Sequence, residues 1–170
     1  SVMASYNSFH GRKMHGLKSM LSDVLVGQMG FDGFVVGDWN GHGQVKGCSN
    51  DSCAASFNAG LDMFMVPSDW EALYHNTLEQ VRSGDISQQR LDEAVARIKT
   101  FHAAGKPARV SMETAPGLRC EARYLPISPV GLYVPGGSAP LISTVIMLAV
   151  PAQIAACEEV VLCTPPDQQG

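Results

Sequence analysis

Positive charge never gathers in this chain. Twelve Lys and Arg residues are scattered among sixteen Asp and Glu, for a net charge of −4, with no basic run or patch. Nucleic-acid phosphates are held by clustered cations, so nucleic acid is not an expected partner. Charged residues amount to only 16% and aromatics to 7% against 45% hydrophobic, the balance of a globular chain. Metal-ligand spacings are missing as well: there is no Cys-x-x-Cys and no His-x-x-x-His. No internal repeat and no low-complexity tract interrupts the 170 residues, a length that fits one domain with a sizeable core.

Long uncharged runs are also scarce, with one exception. Pro140 to Cys157 carries no charge over eighteen residues, near the lower limit for crossing a bilayer. Ser143, Thr144, Pro151 and Gln153 interrupt it, and Gly136-Gly137 and Glu158-Glu159 flank it. That pattern reads as a buried helix of an α/β protein rather than a membrane span. Ser1-Val2-Met3 opens directly in strand-like text, so neither a signal peptide nor a membrane partner is expected.

Five cysteines are present. Cys48 and Cys53 lie in the polar loop GCSNDSC, where a short-range disulfide fits an exported parent. Zinc is the alternative, but it would need two further ligands, and no metal site is expected. Cys120, Cys157 and Cys163 come later, two of them in apolar surroundings that suggest buried free thiols.

Periodicity gives the elements. Val2 to Tyr6 is a short strand, and Leu17, Met20, Leu21, Val24 and Leu25 make one apolar helix face closed by Gly30. Strands follow at 34–37 and 61–66, with a short helix over 54–59 between them and another over 70–82 after them. Ser87 caps the next helix, with Ile86 and Leu91 placed for a hydrophobic staple. Its apolar stripe Leu91, Ala94, Val95, Ile98 and Phe101 continues without a phase break. Residues 105–126 read as irregular or extended. Strands at 130–134 and 160–163 then enclose a helix over 143–156 that Pro151 should kink. The alternation predicts an α/β fold, with a five-stranded, mostly parallel sheet flanked by helices.

Two stretches carry family resemblances. MASYNSFHG, MLSDVLVGQMGFDGFVVGDW and NAGLDMFMVP, in that order within residues 1 to about 98, resemble the C-terminal half of the catalytic barrel of family 3 glycoside hydrolases. KTFHAAGKP, ETAPGLRCEARYLPISPVGLYVPGGSAPL and PAQIAACEEVVLCTPP, from about residue 99 to 170, resemble an N-terminal segment of histidinol dehydrogenase, with a Rossmann-like unit beginning at its end. The first resemblance implies that Asp38, in GFVVGDW, is the nucleophile of a retaining glycosidase, with Trp39 and Tyr6 lining the sugar pocket. Without the resemblance, Asp38 reads equally as a strand-end acid or a helix cap. The second implies that Tyr133 contacts NAD beside the turn Pro135-Gly136-Gly137. That turn is not GxGxxG, and on residues alone it is a tight connection whose glycines allow close packing. Of the five histidines, only His42 sits near this chemistry in sequence.

The resemblances imply a recombined or designed chimera of half-barrel and Rossmann-like pieces, one domain fused inside a single helix near Ile98-Lys99. Neither active site would be complete, and no cofactor is expected. An exposed sheet edge left by an incomplete barrel would invite self-association.

Overall fold

The computed structural model describes residues 1–136 and 142–166. Helices and strands alternate through the chain, as the periodicity requires, but the strands do not assemble into one sheet. Among the described residues, four separate two-stranded sheets stand in place of the expected five-stranded one. β1 (Val2–Met3) pairs in parallel with β4 (Val35–Val36), and an isolated parallel bridge joins Val36 to Met63. The expected strand over 61–66 is reduced to that bridge. β7 (Val130–Tyr133) and β8 (Val160–Cys163) pair in parallel with each other.

Two antiparallel hairpins complete the strands. β2 (Ser8–Phe9) and β3 (Arg12–Lys13) are joined through His10 and Gly11, both at positive φ (48° and 74°), the signature of the turn that matches strand twist. β5 (Val110–Ala115) and β6 (Leu118–Ala122) occupy the stretch expected to be irregular. Pro116 and Gly117 connect them, with Gly117 at φ 81°, the pairing of Pro with a left-handed Gly that makes a two-residue turn.

The helices follow the sequence more closely. The segment Ser19–Gln28 is helical but wound with the wider π pattern, as in the Met29 N–H to Val24 carbonyl bond of 2.9 Å. Its apolar face still buries Leu21, and Leu17 just before it is buried as well. α1 (Ala54–Asn58), α2 (Trp70–Ser83), α3 (Gln88–Ala104) and α4 (Ile142–Ile154) complete the set, with Pro151 inside α4. Among the described residues, no helix is long and apolar enough to cross a membrane.

α3 begins as its sequence dictates. Ser87 Oγ accepts the Arg90 N–H at 3.1 Å, and Ile86 is fully buried in a cluster with Phe57 and Ala94 against which Leu91 packs. The helix passes unbroken through Ile98 and Lys99. Its buried line is narrower than expected: Ala94 and Ile98 are buried, whereas Val95 and Phe101 are each 42% exposed. A helix docked along one seam buries positions four apart, and 95 and 101 fall on its flanks. Phe101 meets Phe34 of the first segment edge-to-face at 5.1 Å.

Ile98 belongs to a cluster with Phe34, Val36 and Met63, and Val150 of α4 packs on the same cluster. Two successive N–H groups, of Asp62 and Met63, donate to the Val35 carbonyl at 2.8 and 3.1 Å. This bulge places Leu61 and Met63 in different clusters. Arg90 closes the arrangement. Its guanidinium meets Asp62 Oδ1 at 2.7 Å, donates to the carbonyls of Phe57 and Leu61 at 2.9 Å each, and lies 4.8 Å above the Phe57 ring.

Removing one partner of such a buried pair strands the other charge, so Arg90→Ala should cost about 3–5 kcal/mol. Ile98→Ala should cost about 2–5 kcal/mol and Val95→Ala about 0.5 kcal/mol. Urea unfolding followed by circular dichroism checks all three.

Candidate functional site

The site is built where β4 ends. After Val36 the chain is stitched to the neighbouring strand segment: Gly37 N–H donates to the Met63 carbonyl at 2.8 Å and Asn40 N–H to the Met65 carbonyl at 2.9 Å. Asn40 takes a left-handed backbone (φ 52°), which starts a tight 3₁₀ turn over Gly41–Gln44. Asp38 sits between these two anchors, half-buried, with Oδ1 accepting the Trp39 N–H at 2.7 Å. Trp39 and Tyr6 stand 44% and 38% exposed, so two aromatic faces are open to solvent near the carboxylate.

His15 is the residue that sequence reasoning missed. It is buried to 1% exposure, and its Nε2 accepts the Asp38 backbone N–H at 2.8 Å. Its ring lies 6.1 Å from that of Tyr6. The backbone is shaped around it: a Cβ added at Gly41 would run into the imidazole, and one at Gly37 would approach Cδ2 at 3.4 Å. The sequence carried one signal, a Met-His-Gly following a Gly-centred turn, but nothing in its spacing from Asp38 reveals the contact.

His42, the histidine favoured from sequence, plays a different part. Its Nε2 donates to the Asn50 carbonyl at 2.7 Å and its ring meets Phe64 edge-on at 4.8 Å, so it holds the following loop. Cys48 and Cys53 close that loop as a disulfide, and Asn76 and Gln80 of α2 bind it at the Asp51 carbonyl and Ser52 Oγ. Among the described residues, no group of three or more His, Cys, Asp or Glu is placed to hold a metal ion.

Electrostatics follow from burial. Desolvation pushes the His15 and His42 imidazoles below their ordinary value, with Asp38 opposing at His15 and the Asn50 carbonyl and Asp69 opposing at His42. Tyr6 is pushed up, first by burial and then by the charge of Asp38, which ties Tyr6 electrostatically to that carboxylate. Burial also raises Asp62, against the Val35 N–H and Arg90.

Tyr133 ends β7 on a different sheet, 62% exposed and opposite Cys163. Gly136 packs closely on Pro165, as a tight connection requires, and Gly137 lies outside the described residues. The free thiols are not buried as expected: Cys120 and Cys163 are exposed and Cys157 is half-buried. β6 and β8 present all their residues to solvent, so apolar neighbours in sequence give no shelter.

Alternating helices and strands, with two strand pairs parallel, define an α/β chain. The glycosyl hydrolase family 3 N terminal domain profile matches residues 1–101, and the histidinol dehydrogenase profile matches residues 54–170. The chain therefore belongs to both families, each by a different stretch, and the two stretches overlap across α1 to α3.

The exo-1,3/1,4-β-glucanase (ExoP) of a Pseudoalteromonas species is similar in structure, with 54% identity, a TM-score of 0.56, and coverage of 56% of this chain and 12% of that one. The β-glucosidase of Listeria innocua in complex with isofagomine follows at 30% identity and TM-score 0.50, covering 56% and 14%. Histidinol dehydrogenase of Xanthomonas axonopodis pv. citri (strain 306) is 59% identical over 83 residues, 49% of this chain. The chain spans about a fifth (19%) of that dehydrogenase's length.

Two buried neutral imidazoles set a pH dependence. Unfolded, each titrates near about 6.5; folded, each titrates lower. Their contribution is fully present above about pH 6.5 and is lost as pH falls toward the folded values. The raised Asp62 has the opposite sign, gaining stability as pH falls through its own elevated value. The urea midpoint should be flat from about pH 8 to 7 and fall below about 6.5. His15→Gln and His42→Gln together should flatten that fall and leave the Asp62 contribution.

Proposed function

We propose that these 170 residues form a recombined or designed fusion of a family 3 glycosidase segment with a histidinol dehydrogenase segment, and that the chain turns over neither parent's substrate. The observation that carries this reading is the shared apolar cluster: Phe34 and Val36, matched by the first family alone, pack with Met63 and Ile98 from the overlap and with Val150, matched by the second alone. α3 runs unbroken through the overlap of the two family matches, which is where superposed helices join without new loop geometry.

Retaining glycoside hydrolysis takes two carboxyl groups, a nucleophile and an acid/base. Asp38 is the one member of that pair that the resemblance carries onto this chain. On the dehydrogenase side the resemblance carries only Tyr133, which in this reading holds no NAD. We expect no release of aryl alcohol from aryl β-glucosides, and no NAD reduction with histidinol and added zinc. Hydrolysis above background that disappears in Asp38→Ala would establish the alternative, a working family 3 glycosidase fragment with Asp38 as nucleophile.

A second reading concerns binding without turnover. Exposed Trp39 and Tyr6 beside a half-exposed Asp38 make an aromatic-lined anion site, which suits a sugar-shaped cation. Isofagomine, the ligand in the Listeria complex, is the probe. Its binding should quench Trp39 fluorescence, and Asp38→Asn should weaken it roughly 10- to 100-fold, the loss of one charge-assisted contact.

A further inference from the structure

We propose that His15 is the positioning residue of the Asp38 site: its neutral imidazole, protonated on Nδ1, accepts the Asp38 amide at Nε2 and fixes where the carboxylate stands. The hydrogen-bond direction dictates the tautomer. A backbone N–H can only donate, so the ring atom it meets at 2.8 Å must carry a lone pair.

Three features make this contact a built one. His15 is 1% exposed, so water does not compete for Nε2. The ring lies against Gly37 and Gly41, one before Asp38 and one after it, and a Cβ at Gly41 has no room without moving the ring. Asp38 is otherwise tethered through its own carbonyl, which accepts the Gly41 N–H at 2.9 Å, so His15 holds the opposite, N–H side of the same residue.

Protonation at Nε2 would set two donors against each other and remove this anchor. The groups facing the ring are Asp38 after β4, Tyr6 before β2, Lys13 on β3 and His42 on the 3₁₀ turn; α1, also packed nearby, brings no titratable side chain. Asp38 favours the imidazolium, whereas Lys13, His42 and above all burial oppose it. The site thus carries its own acid switch: Asp38 is presented while His15 is neutral and released when it is charged.

The inference concerns the geometry of Asp38. Only its ligand arm rests on the sugar-binding reading. The experiment uses the full chain, labelled with ¹⁵N and titrated from pH 8 to 5. Two-bond ¹H–¹⁵N spectra should show His15 at pH 8 with Nδ1 protonated and Nε2 bare, and the Asp38 amide resonance should shift in step with the His15 titration. Isofagomine affinity should fall at least tenfold across that same titration in the wild type and lose that component in His15→Gln.

A protonated Nε2 at pH 8, or an Asp38 amide indifferent to His15, overturns the proposal. So does an isofagomine pH profile unchanged in a folded His15→Gln. If the amide tracks His15 while isofagomine binds at no pH, the sugar reading falls and the positioning role stands. The spectra come from the wild type, so a variant that fails to fold leaves the decision intact.

Discussion

The Arg90–Asp62 pair is the constraint from which the rest of the first segment takes its geometry. Asp62 uses both carboxylate oxygens: Oδ1 meets Arg90 at 2.7 Å and Oδ2 accepts the Val35 N–H at 2.8 Å. Val35 opens β4 opposite Val2, and its carbonyl takes both N–H groups of the bulge at Asp62 and Met63. One side chain thus sets the register between β4 and the 61–65 segment. The two residues that follow Val35, Val36 and Gly37, then carry the chain to Asp38. A buried ion pair is weak evidence for net stability, because desolvation offsets much of the Coulomb gain. Here its distinct contribution is register: four donor–acceptor contacts and a ring face all have to be met at once, and slipped pairings would leave Arg90 or Asp62 buried without them.

Local signals were legible where the residues settle the matter among themselves. Ser87 with Ile86 and Leu91 marked the start of α3, and Gly84 and Gly105 bracket the turns around that helix. The strands 130–133 and 160–163 also stood where the apolar runs placed them, although β8 is exposed throughout. Partnership was not legible. Val2, Phe34 and Leu61 open runs that suit a parallel sheet, but a run does not say which run lies beside it, and barrel-type strands need neighbours on both sides. The β5–β6 hairpin was missed for another reason. VSME and LRCEA do alternate apolar with polar residues around Pro116-Gly117, the pattern of a hairpin, but the runs are short and charged, and both strands are exposed throughout.

The site divides in the same way. Asp38, Trp39 and Tyr6 were singled out because family text surrounds them, and the fold puts Asp38 just after β4 with Trp39 and Tyr6 partly exposed. His15 could not be found by that route. It approaches Asp38 across 23 residues of sequence, and its role depends on a tautomer and on the gap left by Gly41, neither of which has a one-dimensional signature. His42 was selected because it lies four residues after Asp38, yet its Nε2–H is committed to Asn50. Sequence proximity picked the histidine that shapes the loop; burial and geometry pick the one that touches the acid.

Packing also explains how text from two families shares one core. β4 shows Phe34 and Val36 to one side and Val35 to the other. The side bearing Phe34 and Val36 is met by Ile98 of α3 and by Val150 of α4, a helix whose described residues carry no charge from Ser143 to Ile154. A helix apolar on all faces needs cover more than it needs a particular partner, and apolar cores accept any filling of about the right volume before fine complementarity matters. The cost of this tolerance falls on the second segment. Beyond residue 110, the buried apolar side chains among the described residues are Leu132, Val134 and Ala152, whereas Met112, Leu118, Leu125, Ile127 and Leu162 stand at least half exposed. A two-strand parallel pair with so little cover does not hold itself. α4 is its link to a real core, so the order of β7 and β8 derives from how well α4 docks on strands that belong to the other family.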